Sequence, residues 1–330
     1  MGSTFTRRLR TVPALLVAAV VLVLLAPIWL PLTIALDLVR GKWRCPVARL
    51  LAFAVCWSWL ETVGVLVAAW MWVRGRSTDI PAHIRLQRWW ALNLMRALQA
   101  TTGLRIAPPD LEAVRGGPAV MLCRHASLAD SLLSAWVVVG HARMNPRYVL
   151  KRELLADPCL DIVGNRLRNH FLDREATDGT VELAALRALS ADMGPDDIAI
   201  IFPEGTRSTP RKRERALAKI AERDPDRATR LAALRHVLPP RPAGSQALVD
   251  GCPTADVVVG WHVGFDGLDT FGGILRHLAG RPRLVEFHSR RISRREVPTG
   301  EQFSAWLDEQ WLRVDADVDS LLRSDPAARR

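Results

Sequence analysis

Residues 197–208 read Asp-Ile-Ala-Ile-Ile-Phe-Pro-Glu-Gly-Thr-Arg-Ser. An apolar, Ile-rich run closed by a Pro-Gly turn predicts a buried strand over Asp197–Phe202. The polar turn that follows carries Glu204, Gly205, Thr206, Arg207 and Ser208. Residues 119–130, Ala-Val-Met-Leu-Cys-Arg-His-Ala-Ser-Leu-Ala-Asp, repeat the arrangement. They predict a strand over Ala119–Cys123, a turn holding His125, and the start of a helix. Further strands are predicted over Arg147–Leu150, His170–Asp173, Asp256–His262 and Arg283–His288. Helical patterns fall over Leu128–Arg143, Arg152–Val163, Thr180–Met193, Arg211–His236, Phe271–Ala279 and Gly300–Leu322. The alternation predicts an α/β fold with a mostly parallel central sheet flanked by helices.

Parallel strands deliver their C-terminal ends to one edge of the sheet, where α/β sites form. Both polar turns are therefore expected side by side. Residues five apart in a helix point about 140° away from each other. His125 and Asp130 can meet only if His125 lies in the turn and Asp130 in the first helical turn. Asp130 would then hold one ring nitrogen and leave the other free as a general base. Ser127-x-x-Asp130 also reads as a helix-capping box, and the spacing alone leaves both readings open. In the second turn, Gly205 permits close backbone approach, and Arg207 offers a planar fork suited to phosphate. Glu204 is a poor phosphate ligand and is expected to hold a hydroxyl or orient Arg207.

The chain has 330 residues and a formal net charge of +11, and only four of its 45 basic residues are Lys. With 49% hydrophobic residues it has ample apolar surface to fold, so a disordered chain is excluded. The five cysteines form no C-x-x-C pair, which argues against a zinc site or a disulfide framework. No metal site is expected. No G-x-S-x-G occurs, so a serine-hydrolase elbow is absent. The Arg-rich stretch from Arg211 to Arg241 contains no aromatic residue, which argues against nucleic acid as a partner.

The N-terminal region is apolar. Val12–Leu36 has no charged residue, and Leu50–Val73 is broken only by Glu61. This pair reads as a helical hairpin embedded in a membrane, with Pro27 and Pro31 bending its first arm. A cleaved signal peptide fits poorly, because the run is long and a second follows at once. Basic residues flank the hairpin and fill its turn, and Glu61 costs about 2.5–3.5 kcal/mol at mid-bilayer. Spanning and single-leaflet arrangements both remain open, and both put Arg74 on the same side as Met1. Ile84–Gln99 then predicts an amphipathic helix lying on the membrane. The resulting division is residues 1–76 as the anchor and 77–330 as the α/β domain, with an Arg-rich helical insertion at about 209–241.

The two polar turns also carry a resemblance. The chain is similar to the glycerolipid acyltransferase family, in its 1-acyl-sn-glycerol-3-phosphate acyltransferase group. The family's H-x-x-x-x-D block matches His125 and Asp130, and its F-P-E-G-T-R-S block matches Phe202 to Ser208 in full. Phe171-Leu-Asp-Arg174 resembles its second block, and His236 to Gly244 resembles a downstream proline block. Two departures stand out: Arg124 replaces the Asn that often precedes the His, and Gly164 lies further upstream than the second-block glycine.

The resemblance implies acyl transfer from acyl-CoA or acyl carrier protein to the hydroxyl of lysophosphatidic acid or a related lysophospholipid. His125 would be the base and Asp130 its partner. Arg174, Glu204, Gly205, Thr206 and Arg207 would form the phosphate-binding set. Backbone donors near the His125 or the Gly205 turn would hold the oxyanion. No cofactor is implied beyond the acyl donor. The expected location is a membrane, with the catalytic domain on the cytoplasmic side. Two rivals compete. An acyltransferase or hydrolase acting on a non-phosphate lipid would keep His125 and Asp130 but ignore Arg207. A non-enzymatic membrane adaptor would use neither.

Overall fold

The computed structural model describes residues 4–173, 179–281 and 283–324. Four helices come first: α1 (Thr4–Leu24), α2 (Ala26–Val39), α3 (Pro46–Val73) and α4 (Ile80–Thr102). The sheet strands are β1 (Arg105–Ile106), β2 (Ala119–Cys123), β3 (Asn145–Lys151), β4 (His170–Leu172), β5 (Asp197–Ile201), β6 (Asp256–Val263) and β7 (Leu284–Ile292). Between and after them lie α5 (Asp130–Ala135), α6 (Gly179–Ala191), α7 (Pro210–Ala221), α8 (Pro225–Leu231), α9 (Pro242–Gly251), α10 (Phe271–Ala279) and α11 (Gln302–Ser324).

The seven strands form one sheet in the order β1-β7-β6-β2-β5-β3-β4. All neighbours pair parallel except β6 and β7. The central strands β2, β5 and β6 are apolar along most of their length because helices cover both faces. Val120, Leu122, Val257 and Val259 pack on one side with α9 and α11. Ala119, Met121, Ile198, Ile200 and Val258 pack on the other with α4 and α5. Each fully buried Val or Ile side chain contributes roughly 1.5–3 kcal/mol.

The α/β expectation holds, but three predicted helices differ. Arg211–His236 is two helices, because Asp224 caps α8 through the Arg227 N–H and Pro225 opens it. Arg152–Val163 is a 3₁₀ turn over Arg152–Ala156 and a π-helical turn over Leu160–Gly164. Asp157 separates them by accepting from the Cys159 and Leu160 N–H groups. The segment at Leu128 becomes regular only at Asp130 and continues as a π-helical turn over Trp136–Ala142. Helix α9 and the short strand β1 have no counterpart in the sequence reading.

Helices α1 and α2 meet at a 69° bend, and α3 is the one described helix long and apolar enough to cross a bilayer. The bend falls just before Pro27, whereas Pro31 sits inside α2 without breaking it. α3 lies along the rest of the molecule. At its start, Arg49 donates to the carbonyls of Thr101 and Leu278. Further on, the buried Glu61 accepts from Trp90 Nε1 at 2.7 Å, and the Ala68 carbonyl accepts from Arg166. At the start of α1, Arg7 and Arg8 both clamp the fully buried Asp161.

Candidate active site

β2 and β5 run parallel with Leu122 opposite Ile201, so the turns that follow them leave the sheet together. The two turns are joined at His125. Its main-chain N–H donates to Glu204 Oε1 at 2.8 Å, and its carbonyl accepts from the Ser208 N–H at 2.8 Å. The His125 ring packs on Phe202 with centroids 4.8 Å apart.

His125 Nδ1 lies 2.9 Å from Asp130 Oδ2, the partnership that the spacing predicted. The His125 side chain is 13% exposed, and Nε2 has no protein partner among the described residues. Asp130 is almost wholly buried and is surrounded by donors. The Ala126 and Ser127 N–H groups donate to Oδ2, and the Ser127 hydroxyl donates to Oδ1. The His125–Asp130 contact is made, but the capping box is not: Ala129 is the N-cap of α5 without a side-chain cap, and Ser127 is tied to Asp130 instead. Burial opposes its charge, but His262 and His125 hold Asp130 well below the usual carboxylate range.

His262 is the residue that the sequence reading missed. It sits on β6, beside β2, with its side chain 4% exposed and Nε2 3.0 Å from Asp130 Oδ1. The only signal available was a polar side chain within a strand that, after Asp256, is otherwise Val, Gly and Trp.

The phosphate set separates into different roles. Glu204 neither faces a hydroxyl nor orients Arg207, contrary to expectation. Its second oxygen accepts from the Leu238 N–H at 2.9 Å, so both oxygens are held by backbone. Burial pushes Glu204 up to about 8, against the His125 and Leu238 N–H donors and the Arg124 charge. Gly205 has φ +70°, and a side chain there would meet Arg241 at 3.5 Å. Thr206 Oγ1 accepts from Lys212 at 3.2 Å, and the Arg207 carbonyl accepts from the same ammonium. Arg207 Nη1 is buried with no hydrogen-bond partner. The N–H groups of Thr206 and Arg207 have no partner among the described residues, whereas those of residues 125–129 are all engaged. Arg174 lies outside the described residues.

Arg124, in the place of the expected Asn, is a buried brace. It donates to the His262 carbonyl at 2.5 Å and to Asp266 at 2.6 Å. Burial pushes the thiols of Cys123 and Cys159 up, so neither is a ready nucleophile.

Beside the dyad lies an apolar cavity of about 410 Å³. Leu128, Ala129 and Leu132 border it on the His125 side, and Leu50, Phe53 and Trp57 of α3 form another wall.

Residues 105–229 match the sequence profile of the Acyltransferase family. The chain carries an acyltransferase domain. The profile takes in β1 to β5, both polar turns and α7, so the His125–Asp130 pair and Arg207 lie within it. Among solved structures, this acyltransferase is similar to the 1-acyl-sn-glycerophosphate (LPA) acyltransferase PlsC from Thermotoga maritima. That likeness has a TM-score of 0.48 at 18% identity and covers 81% of this chain and 96% of the other. No curated protein matches the sequence.

Proposed function

We propose that this acyltransferase moves a fatty acyl chain from acyl-CoA or acyl carrier protein to the free hydroxyl of lysophosphatidic acid or a related lysophospholipid. The observation that carries the reading is the pairing of two groups on one sheet edge. His125 presents an unpartnered Nε2, and Arg207 presents a buried, unpaired Nη1 from the loop bonded to His125. A buried guanidinium nitrogen without an acceptor is costly, and a phosphate oxygen would satisfy it.

In this mechanism His125 Nε2 takes the proton of the acceptor hydroxyl as the oxygen attacks the thioester carbonyl. Asp130, held ionised, stabilises the imidazolium that results. The tetrahedral oxyanion is bound by the free N–H groups of Thr206 and Arg207 in the Gly205 turn. The C–S bond then breaks, and the imidazolium returns its proton to the departing thiolate. The scheme uses no metal and no cofactor beyond the acyl donor. Arg207, with the exposed Arg241 close by over Gly205, would hold the acceptor phosphate, and Arg174 joins this set from its sequence match. The apolar cavity is suited to the acyl chain.

The anchor reading follows from α3. At 1.5 Å per residue its 28 residues run about 42 Å, and it touches the catalytic domain at its start, middle and end. A span leading away from the domain would lose those contacts. We therefore read residues 1–76 as a hairpin dipping into one leaflet. Val17, Leu24, Ile28, Leu32 and Leu66 are exposed and would face lipid. All basic flanks then share one side, which fits the cytoplasmic face.

The test is lipid analysis after incubating the purified protein with acyl-CoA and a panel of lysolipids. Acyl transfer to a phosphate-bearing acceptor, above that to monoacylglycerol, supports the reading. Equal transfer to both favours the non-phosphate alternative, and no transfer to any acceptor sinks it.

A further inference from the structure

We propose that His262 is a positioning residue for the general base, because its imidazole shares the Asp130 carboxylate with His125. The proposal rests on His125 acting as the base.

Three observations converge. First, the two imidazoles take different oxygens of one carboxylate: His125 Nδ1 is 2.9 Å from Oδ2 and His262 Nε2 is 3.0 Å from Oδ1. A carboxylate flanked by an imidazole at each oxygen is hindered from rotating away from His125. Second, His262 is itself fixed. Arg124 binds its carbonyl, and its ring meets Phe265 edge-on with centroids 5.5 Å apart. Third, the ring has no competing use among the described residues. Neither ring nitrogen makes a hydrogen bond of good geometry, and the carboxylate its Nε2 pairs with, at 3.0 Å, is Asp130. A buried histidine that served packing alone would leave an imidazole needlessly polar beside a buried charge.

The charged groups around His262 are Asp130, Asp266 and Arg124. Cys123 sits near Asp130 but is kept as the thiol. An imidazole donor 3.0 Å from Oδ1, even off the line of a hydrogen bond, draws negative charge away from the oxygen that faces His125. Removing that donor makes Asp130 a stronger partner for the His125 imidazolium. The proton on His125 is then held more tightly, whether His262 donates as the neutral ring or as the cation.

The experiment compares wild type with His262→Phe, which fills the space without a donor, and His262→Gln, whose amide reaches the place of Nε2. Two readouts are taken across pH. One is steady-state acyl transfer. The other is modification of His125 by diethylpyrocarbonate, followed by peptide mass spectrometry, which needs no turnover. In His262→Phe, kcat is expected to fall about tenfold, the equivalent of one decade of transition-state stabilisation, with KM values unchanged. The acid limb and the His125 modification profile should both move up by about half a unit to one unit. His262→Gln should restore both. If the Phe variant does not fold, His262→Asn replaces it, since its amide stops short of Asp130, and the same shift is expected. A variant that melts lower yet titrates His125 as wild type assigns His262 to packing and overturns the proposal. So does a Gln variant as impaired as the Phe variant. Wild-type protein that transfers no acyl chain would remove the proposed function, while the modification profile would still decide the role of His262.

Discussion

The Glu204 side chain bonds the main-chain N–H of His125 through one oxygen and that of Leu238 through the other. One buried carboxylate therefore sets the register of three loops: the His125 turn, its own turn, and the segment leading to Arg241. Glu204→Gln keeps the shape but turns one acceptor into a donor that faces an N–H. An unpaired buried donor costs about 1–3 kcal/mol, so the melting temperature should fall by several degrees and turnover should drop more than substrate affinity. A thermal melt alongside kcat and KM checks this. A variant with wild-type values in both would show that Glu204 does not set the loops.

The same carboxyl gives a pH dependence. Its ordinary value is 4.5, and burial raises it to about 8 in the fold. Between those values the folded protein holds a proton that the unfolded chain has lost. Stability from this group is therefore full below about 4.5, falls as pH rises, and levels off above about 8. The gap in melting temperature between wild type and Glu204→Gln should be widest at pH 5 and narrowest at pH 8. A gap that does not change with pH would mean that Glu204 is already ionised in the fold.

His125→Ala should lower turnover by about 10²–10⁴ with the fold retained. On shape alone Asp130→Asn would be the milder change. The donors around Asp130 reverse that expectation. Two backbone N–H groups, a hydroxyl and the His125 ring point at its oxygens, and the His262 ring lies 3.0 Å from one of them, so an amide NH₂ must face at least one of these groups. Asp130→Asn is expected to match His125→Ala in lost turnover and to melt lower than it. Paired kinetics and melts of the two variants decide between these rankings.

Arg207→Lys removes the planar fork but keeps the charge. It should reduce kcat/KM for lysophosphatidic acid by at least about tenfold, the scale of one charge-assisted hydrogen bond. Hydrolysis of acyl-CoA by water should be spared. Equal losses with lysophosphatidic acid and monoacylglycerol would assign Arg207 to the fold or to the acyl donor.

Removal of residues through Arg76 would do more than release the protein from membranes. It strips Asp161 of Arg7 and Arg8, leaves Trp90 without Glu61, and opens the cavity wall made by Leu50, Phe53 and Trp57. The truncated chain is expected to aggregate or bind detergent and to lose transfer activity. Fractionation and a turnover assay test this. A soluble, fully active fragment would show that the hairpin serves attachment alone.

The sheet and the dyad were legible because each rests on contiguous sequence. Ala119–Cys123 and Ile198–Ile201 are unbroken apolar runs, and His125 and Asp130 lie within one turn of chain. His262 was not legible, because it meets Asp130 across two strands and 132 positions of sequence separate them, a relation that only the β2–β6 pairing creates. Glu204 was misread for a related reason. A carboxylate after a strand looks like a ligand, and its burial against two backbone donors depends on the path of the 236–241 segment. The helix breaks at Asp157 and Asp224 went unseen because side-chain caps of this kind override an otherwise helical pattern.

In the proposed one-leaflet arrangement, helix α3 would have lipid on one side and the apolar cavity on the other. A fatty chain entering between α3 and the domain would pass from one hydrocarbon environment to another. Each methylene that avoids water along the way is spared about 0.8 kcal/mol, so for a long chain the saving exceeds any single contact in the pocket. The rate of loading would then follow the two-dimensional concentration of lipid in the leaflet rather than its aqueous solubility. Diluting the substrate with inert lipid at fixed bulk concentration should slow the enzyme, as surface dilution does for a catalyst that draws its substrate sideways from the bilayer.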